Sequence, residues 1–230
     1  MFLGKSFKKE LMDDFSLRDK KIYRAYKELH TINKFLGGNS VTAEGIQYFK
    51  KRINDRLKIL DVGGGISDIL YDLKNSDADV SVYSLDLNRF ACNYQKQLSS
   101  NNKVICADAL KLPVKDKSFD LIHSSLFLHH LNDNEIILLL RNLIQIVTGG
   151  IIINDLRRNV LAYTGIRILT IIFSKSKFVK YDGPLSVRRS FTKQELKNLF
   201  VKAGIDNYII RRKWAFRFLI IIPLMKNERN

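Results

Sequence analysis

Cysteine is nearly absent from this chain: Cys92 and Cys106 are its only two. They form no CxxC pair and no ligand cluster with the four histidines, which excludes a disulfide scaffold and a zinc site of the usual spacing. Long apolar runs are missing too. "VLAYTGIRILTIIF" (160–173) and "FLIIIPLM" (218–225) fall short of the roughly 20 residues a membrane span needs, and Arg167 interrupts the first. The opening "MFLGKSFKKE" turns charged before a secretory apolar core of about 7–15 residues can form, so a cytoplasmic protein is expected. Acids are the third shortage. Lys and Arg number 39 against 23 Asp and Glu, a formal charge of +16. Such a balance bears on partners rather than on fold. It admits nucleic acid, an acidic membrane surface or an acidic carrier protein, and equally the surface bias of a Lys- and Asn-rich chain. What remains is ordinary: 230 residues, 46% hydrophobic and 27% charged, the profile of one globular domain with room for a small appendage.

Periodicity divides the chain. Residues 1–36 read as helical, with Leu11, Phe15, Ile22, Tyr26 and Leu29 at helical spacing among charges. "FLGGNS" supplies a glycine stop, and "TAEGIQYFKKRI" reads as a second helix. Short apolar runs then take over: "LKILDV" (57–62), "VSVYSLD" (80–86), "NKVICAD" (102–108), "FDLIHSS" (119–125) and "GIIINDL" (150–156). Their lack of strict alternation suits strands buried on both faces. Helical patterns at 66–74, 88–98 and 133–147 lie between most of them, the last with Asn132 or Asp133 placed as its cap. Alternating strand and helix predicts an open, mostly parallel sheet with helices on both faces. Downstream come a helix over 158–173, a Gly-Pro turn in "KYDGPLSVRR", and a helix opened by Thr192 and Glu195 and stopped at Gly204. "NYIIRRK" and "WAFRFLIII" read as a closing antiparallel hairpin. No repeat or low-complexity linker interrupts the pattern.

Three predicted strands end in or run directly into an acid: Asp61, Asp86 and Asp108. That edge is where open α/β sheets bind ligands. Gly63, Gly64 and Gly65 follow the first acid and present bare backbone. Asp86 stands 86 − 65 = 21 residues beyond the last glycine, where a carboxylate grips a ribose diol. A dinucleotide loop would carry a third spaced glycine where this chain has Asp68, an acid that repels a pyrophosphate. A nucleoside bearing an amino-acid tail fits better, because Asp61 can compensate an ammonium directly or through water. S-adenosyl-L-methionine is such a ligand.

On "ILDVGGGISD", "SLDLN", "CADALKLPVKDKSFDLIHSSLFLHHL" and "GGIIINDL", residues 57–156 resemble the class I S-adenosylmethionine-dependent methyltransferases. The likeness is to the small-molecule type found in ubiquinone and menaquinone biosynthesis. It implies a Rossmann-like fold: a seven-stranded mostly parallel sheet, a closing antiparallel hairpin and an N-terminal helical lid. Residues 1–50 would form the lid and substrate region, and 51–230 the methyltransferase domain with a helical substrate insertion at about 157–190. The resemblance places Asp61, Gly63, Gly64 and Gly65 along the methionine moiety and Asp86 at the ribose. Asp108 and the Ala109 backbone would face the adenine, Leu87 would pack on its ring, and Ser124 joins the same cofactor-binding set. Ser67 departs from the glycine the family often has there.

Methyl transfer needs an aligned acceptor and, for a hydroxyl, a base. His129 and His130 follow the fourth strand and Asp155 ends the fifth, so adjacent strand ends would let Asp155 orient His129 as the base. Arg157 and Arg158 are candidates for an acidic acceptor, and His30 for substrate contact; His123, inside a strand, reads as core. Residues 1–50 and 157–190 mix aromatic and aliphatic residues with Lys and Arg, which suits an aromatic, polyketide-like or lipid-like small molecule, with oxygen favoured over carbon or nitrogen. The first alternative is an RNA or other nucleic-acid methyltransferase. It is disfavoured because "SSLF" replaces the Asn/Asp-Pro-Pro-aromatic loop and neither cysteine follows a proline. The second is a non-catalytic cofactor-binding protein of the same fold.

Overall fold

The computed structural model describes residues 3–14, 20–53, 56–65, 80–98 and 103–224. Seven strands form one sheet: β1 (Leu57–Val62), β2 (Val80–Asp86), β3 (Lys103–Cys106), β4 (Phe119–Ser125), β5 (Val147–Leu156), β6 (Ile209–Lys213) and β7 (Arg217–Pro223). Their order is β3-β2-β1-β4-β5-β7-β6. The first five run parallel, and β7 inserts antiparallel between β5 and β6, as the two closing runs predict. The order reverses between β1 and β4, which is where such sheets open a crevice for ligands.

Register aligns the chemistry at that crevice. Asp61 pairs with Ser84 and His123, and Asp86 with Cys106, so the acids fall along one edge. The central strands are apolar on both sides because both faces are covered. Leu140, Leu143, Leu199 and Phe200 pack on one face, from α4 (Asp133–Ile146) and α7 (Lys193–Ala203). Val41, Ile46 and Phe49 pack on the other, from α2 (Gly38–Lys50). Capping follows the sequence: Asn132 and Glu135 form a reciprocal capping box on α4, and Thr192 and Glu195 do so on α7. Both glycine stops adopt positive φ, Gly37 after α1 (Lys20–Phe35) and Gly204 after α7. The remaining helices are α3 (Arg89–Leu98), α5 (Val160–Phe173) and α6 (Lys177–Arg189). The predicted helix at 66–74, with Ser67 and Asp68, lies outside the described residues.

Several expectations need correction. Residues 3–14 are not helical; they run as an extended segment with one 3-10 turn at Leu11–Asp13. Asp182 of α6 accepts from the Leu11 and Met12 amides at 2.8 and 3.0 Å, and Ser6 donates its amide to the Arg188 carbonyl at 3.0 Å. Partners far along the chain thus take amides that a helix would have used itself. The Gly-Pro turn at 183–184 is not a turn but part of α6. Gly183 is what brings α6 against α5: a β-carbon there would sit 3.3 Å from Ile166 and Thr170. Proline removes one ladder bond, and the packing on α5 holds the helix through that position. The second helix also starts four residues earlier than its "TAEG", at Gly38, and β5 starts at Val147 rather than at 150. Finally, β3 stops at Cys106, which leaves Asp108 in the loop beyond it.

Candidate active site

A cavity of about 950 Å³ opens over the carboxyl edge of the sheet. Sheet-edge loops form one side of it, and residues 5–13, α5 and α6 form the other. Of the residues expected to bind a cofactor, Gly63, Gly65, Asp86, Leu87, Asp108 and Ala109 line the cavity. Asp61, Gly64 and Ser124 stand behind its wall.

Asp86 organises the first side. Its Oδ2 accepts from the Gly65 amide at 2.8 Å and its Oδ1 from the Asn88 amide at 2.7 Å. Burial pushes its pKa up and the nearby Asp61 charge adds to this, against the pull of the two amides. Asn88 accepts from the Phe90 amide at the start of α3 and donates to the Tyr26 hydroxyl at 3.0 Å. Tyr26 reaches over from α1. Burial, then the Asp86 charge, raises its pKa to about 12, so it stays a neutral phenol. Two of the glycines before Asp86, Gly63 and Gly64, leave no room for side chains. Gly63 has φ +71°, and a β-carbon there would lie 2.4 Å from the Phe127 ring. At Gly64 it would lie 2.4 Å from Ser84 Oγ and 2.9 Å from Asp61 Oδ2.

Asp61 is committed inward. Its Oδ1 lies 2.7 Å from His123 Nδ1, and His123 Nε2 lies 3.0 Å from Thr42 Oγ1, a buried chain from β1 through β4 to α2. His123 is therefore core, as its place in a strand implies. Ser124 is fully buried and donates to the Val62 carbonyl at 3.0 Å. Asp108 accepts from the Leu110 amide at 2.9 Å, and half-exposed Leu87 stands on the rim.

The other side is built from charge. His129, in a 3-10 turn after β4, places Nδ1 2.6 Å from Asp155 Oδ1, and both residues are buried. Asp155 also accepts from the Leu156 and His129 amides, at 2.7 and 3.3 Å, so the carboxylate is anchored as well as paired. Burial pushes its pKa up, but the charge and hydrogen bond of His129 outweigh burial and hold it below the usual carboxylate value. His130 Nδ1 lies 2.7 Å from Asp13 Oδ1. Against the downward pull of burial, the Glu10 charge and the bonded Asp13 raise the His130 pKa to about 9. Arg189 ties these parts together, donating to the carbonyls of His129, His130 and Lys8 and to Asp13 at 2.7–3.1 Å.

Glu10, His129 and His130 each offer a ligand atom within 4.8 Å of the others, a set able to hold a divalent ion. Positive charge is already present there, however. Arg189 Nε lies 3.9 Å from Glu10 Oε1, and His130 keeps its proton at neutral pH, so the donors fit protons better than a metal. Of the other candidates, Arg158 pairs with Glu195 on the outside of the cavity wall, and His30 does not line the cavity. Sequence reasoning missed Glu10, Asp13, Tyr26, Asp182 and Arg189. Their partners on other elements lie 59 or more residues away, which leaves no spacing to read. Asn88, two residues after Asp86 at a helix start, did carry a capping signal.

Residues 60–165 match a family model described as a methyltransferase domain. Among solved structures, the chain is similar to the plantazolicin methyltransferase BamL in complex with a triazolic desmethylPZN analog and SAH. That match has a TM-score of 0.67 at 17% identity, over 88% of this chain and 76% of that one. A SAM-dependent methyltransferase from Aquifex aeolicus gives 0.56 at 18% identity, over 74% and 84%. Another, from Methanosarcina mazei, gives 0.56 at 17% identity, over 76% and 96%. At these identities the likeness is one of fold. No curated protein matches the sequence.

Proposed function

Since the chain is a class I S-adenosylmethionine-dependent methyltransferase, we propose that it methylates a small aromatic, polyketide-like or lipid-like acceptor, at oxygen in preference to carbon or nitrogen. Its residues fit the cofactor. A glycine turn with no space for a β-carbon at Gly63 and Gly64 and the partly buried Asp86 carboxylate meet on one cavity wall, which suits a nucleoside with an amino-acid tail. Asp86 would accept from the ribose hydroxyls with the lone pairs its two amides leave free. The backbone at Gly63–Gly65 would lie along the methionine part, Asp108 and Ala109 would face the adenine edge, and Leu87 would pack on the ring. Asp61 and Ser124 would act from behind, by holding the strand ends that carry these groups. When bound, the cofactor supplies an electrophilic methyl group on sulfur.

One observation carries the acceptor chemistry: a buried histidine on the cavity wall with a buried carboxylate 2.6 Å from its Nδ1. Asp155 accepts the Nδ1 proton, which leaves Nε2 as the basic nitrogen. His129 would take a hydroxyl proton there, and Asp155 would stabilise the resulting imidazolium. The acceptor class draws on the apolar lining contributed by Met12, Leu29, Ile166 and Leu169. Support also comes from plantazolicin methyltransferases of the same fold, crystallised with desmethylPZN analogs and SAH. The +16 charge alone would favour nucleic acid, but residues 5–13 form part of the cavity wall and narrow it to small acceptors.

A panel of phenolic, polyketide and lipid-like acceptors with labelled cofactor should yield a methylated product. With that acceptor, His129→Ala should lower turnover by about 10²–10⁴-fold, and Asp155→Asn by part of that, while SAH affinity stays within about twofold. Wild-type turnover in both variants, with chemistry shown to be rate-limiting, would overturn the base assignment. Methylation of RNA alone would overturn the acceptor class.

A further inference from the structure

The outer face of α5 is apolar where a soluble helix would be polar. Leu161, on the cavity rim, and Ile168 and Ile172 beyond it recur at seven- and four-residue spacing and are 69, 53 and 64% exposed, with Ile171 and Phe173 beside them at 58 and 75%. The opposite side of the same helix faces the cavity through Ala162, Ile166 and Leu169. Two more large side chains on the cavity rim project outward: Trp214, 75% exposed, and Phe7, 81% exposed. An exposed apolar stripe of this length, continuous with the mouth of a binding cavity, marks an interaction surface.

Charge selects the partner. From Val160 to Tyr181 the chain carries Arg167, Lys175, Lys177 and Lys180 and no acid, and all four basic residues are exposed. A second copy of the chain would set these cations against one another, on molecules that each carry +16. A surface that is apolar below and negative above accepts both features together. We propose that α5 docks the protein on an anionic lipid bilayer, with its apolar stripe among the acyl chains and Arg167, with Lys175, Lys177 and Lys180 beyond the helix, at the headgroups. Fourteen residues extend about 21 Å, short of the roughly 30 Å of hydrocarbon in a bilayer, so the helix lies along the surface. Trp214 suits the same depth. The cavity mouth then faces the membrane, and the acceptor is a molecule dissolved in the bilayer. This last step rests on the cavity being the acceptor site; the docking itself does not.

Sedimentation of the full chain with two vesicle types tests the docking: phosphatidylcholine alone, and equal parts phosphatidylcholine and phosphatidylglycerol. Binding should favour the mixed vesicles and weaken as salt is raised. The double variant Ile171→Glu/Ile172→Glu, at positions outside the cavity, should bind them about tenfold or more weakly with SAH affinity unchanged. Equal binding by the double variant would overturn the assignment of α5. Absence of any preference for the anionic vesicles would overturn the lipid partner. A stable wild-type dimer that the double variant dissociates would assign the face to a second copy instead. If the vesicle results hold while His129→Ala keeps full turnover, docking stands and the base assignment alone fails.

Discussion

The two sides of the cavity are made in different ways. The side proposed for the cofactor is backbone geometry: three glycines, two amides on Asp86, and strands whose register brings their acids to one edge. The side proposed for the acceptor is side-chain charge gathered from afar, with Asp13 bonded to His130 across 117 positions and Arg189 reaching Lys8 across 181. A wall of the first kind is rigid because each bond belongs to the main fold. A wall of the second kind holds only while every member is present, since each buried ion is costly without its partner. The comparison predicts that damage on one side should leave the other nearly intact.

Arg189→Met should produce the largest effect. It strips donors from three carbonyls and Asp13 in a buried setting, and the expected loss is roughly 3–5 kcal/mol. Calorimetry should show a melting temperature lower by about 10 °C, and hydrogen exchange should show the loosening concentrated in residues 3–14. SAH affinity that fell in parallel would break the separation of the two sides. Asp86→Ala comes next. Loss of charge-assisted bonds worth about 1.5–3 kcal/mol should weaken SAH at least tenfold by isothermal titration, with residues 3–14 as protected as before. Unchanged affinity in a folded variant would remove Asp86 from the ribose role.

A smaller effect follows pH. His130 holds its proton to about 9 when folded, against the ordinary imidazole value of 6.5. Its contribution is therefore complete below about pH 6.5 and disappears as pH rises through about 9. With its side chain partly open to solvent, roughly 2 kcal/mol is expected, read as a wild-type melting temperature that falls between those limits while His130→Gln stays flatter. The smallest change is Asn132→Ala, which removes the α4 cap at the joint between the two sides. It should cost about 1 kcal/mol of stability and leave SAH affinity alone.

The same contrast governs what the sequence could tell. β1, β2 and β4 were legible to the residue because an apolar run between polar punctuation has one physical meaning in an α/β chain. The meeting of the glycine turn and Asp86 on one cavity wall was legible because it depends on local spacing. His129 and Asp155 could be paired because their strands are neighbours. Local rules failed where distant partners decide. Leu11 and Met12 carry helical spacing, yet Asp182 claims their amides from 170 positions away. Gly183 and Pro184 carry a turn signal, yet the packing of α5 on α6 overrides it. Glu10, Asp13 and Arg189 look like any surface charges until the fold collects them.

Arg217, in the last strand, is buried and donates to Asn154 on β5 and, at the end of α1, to the Leu36 carbonyl and Asn33. Burial lowers its pKa to about 10, so it remains charged under ordinary conditions. On the ribosome, residues 20–37 emerge nearly 200 positions before the side chain that clasps them. The Leu11 and Met12 amides likewise wait some 170 positions for Asp182. Domains usually assemble from the amino terminus as they are made. The segments bearing Leu11, Met12, Asn33 and Leu36 are locked only after Asp182 and Arg217 have been made, so the five parallel strands can form before the cavity is roofed.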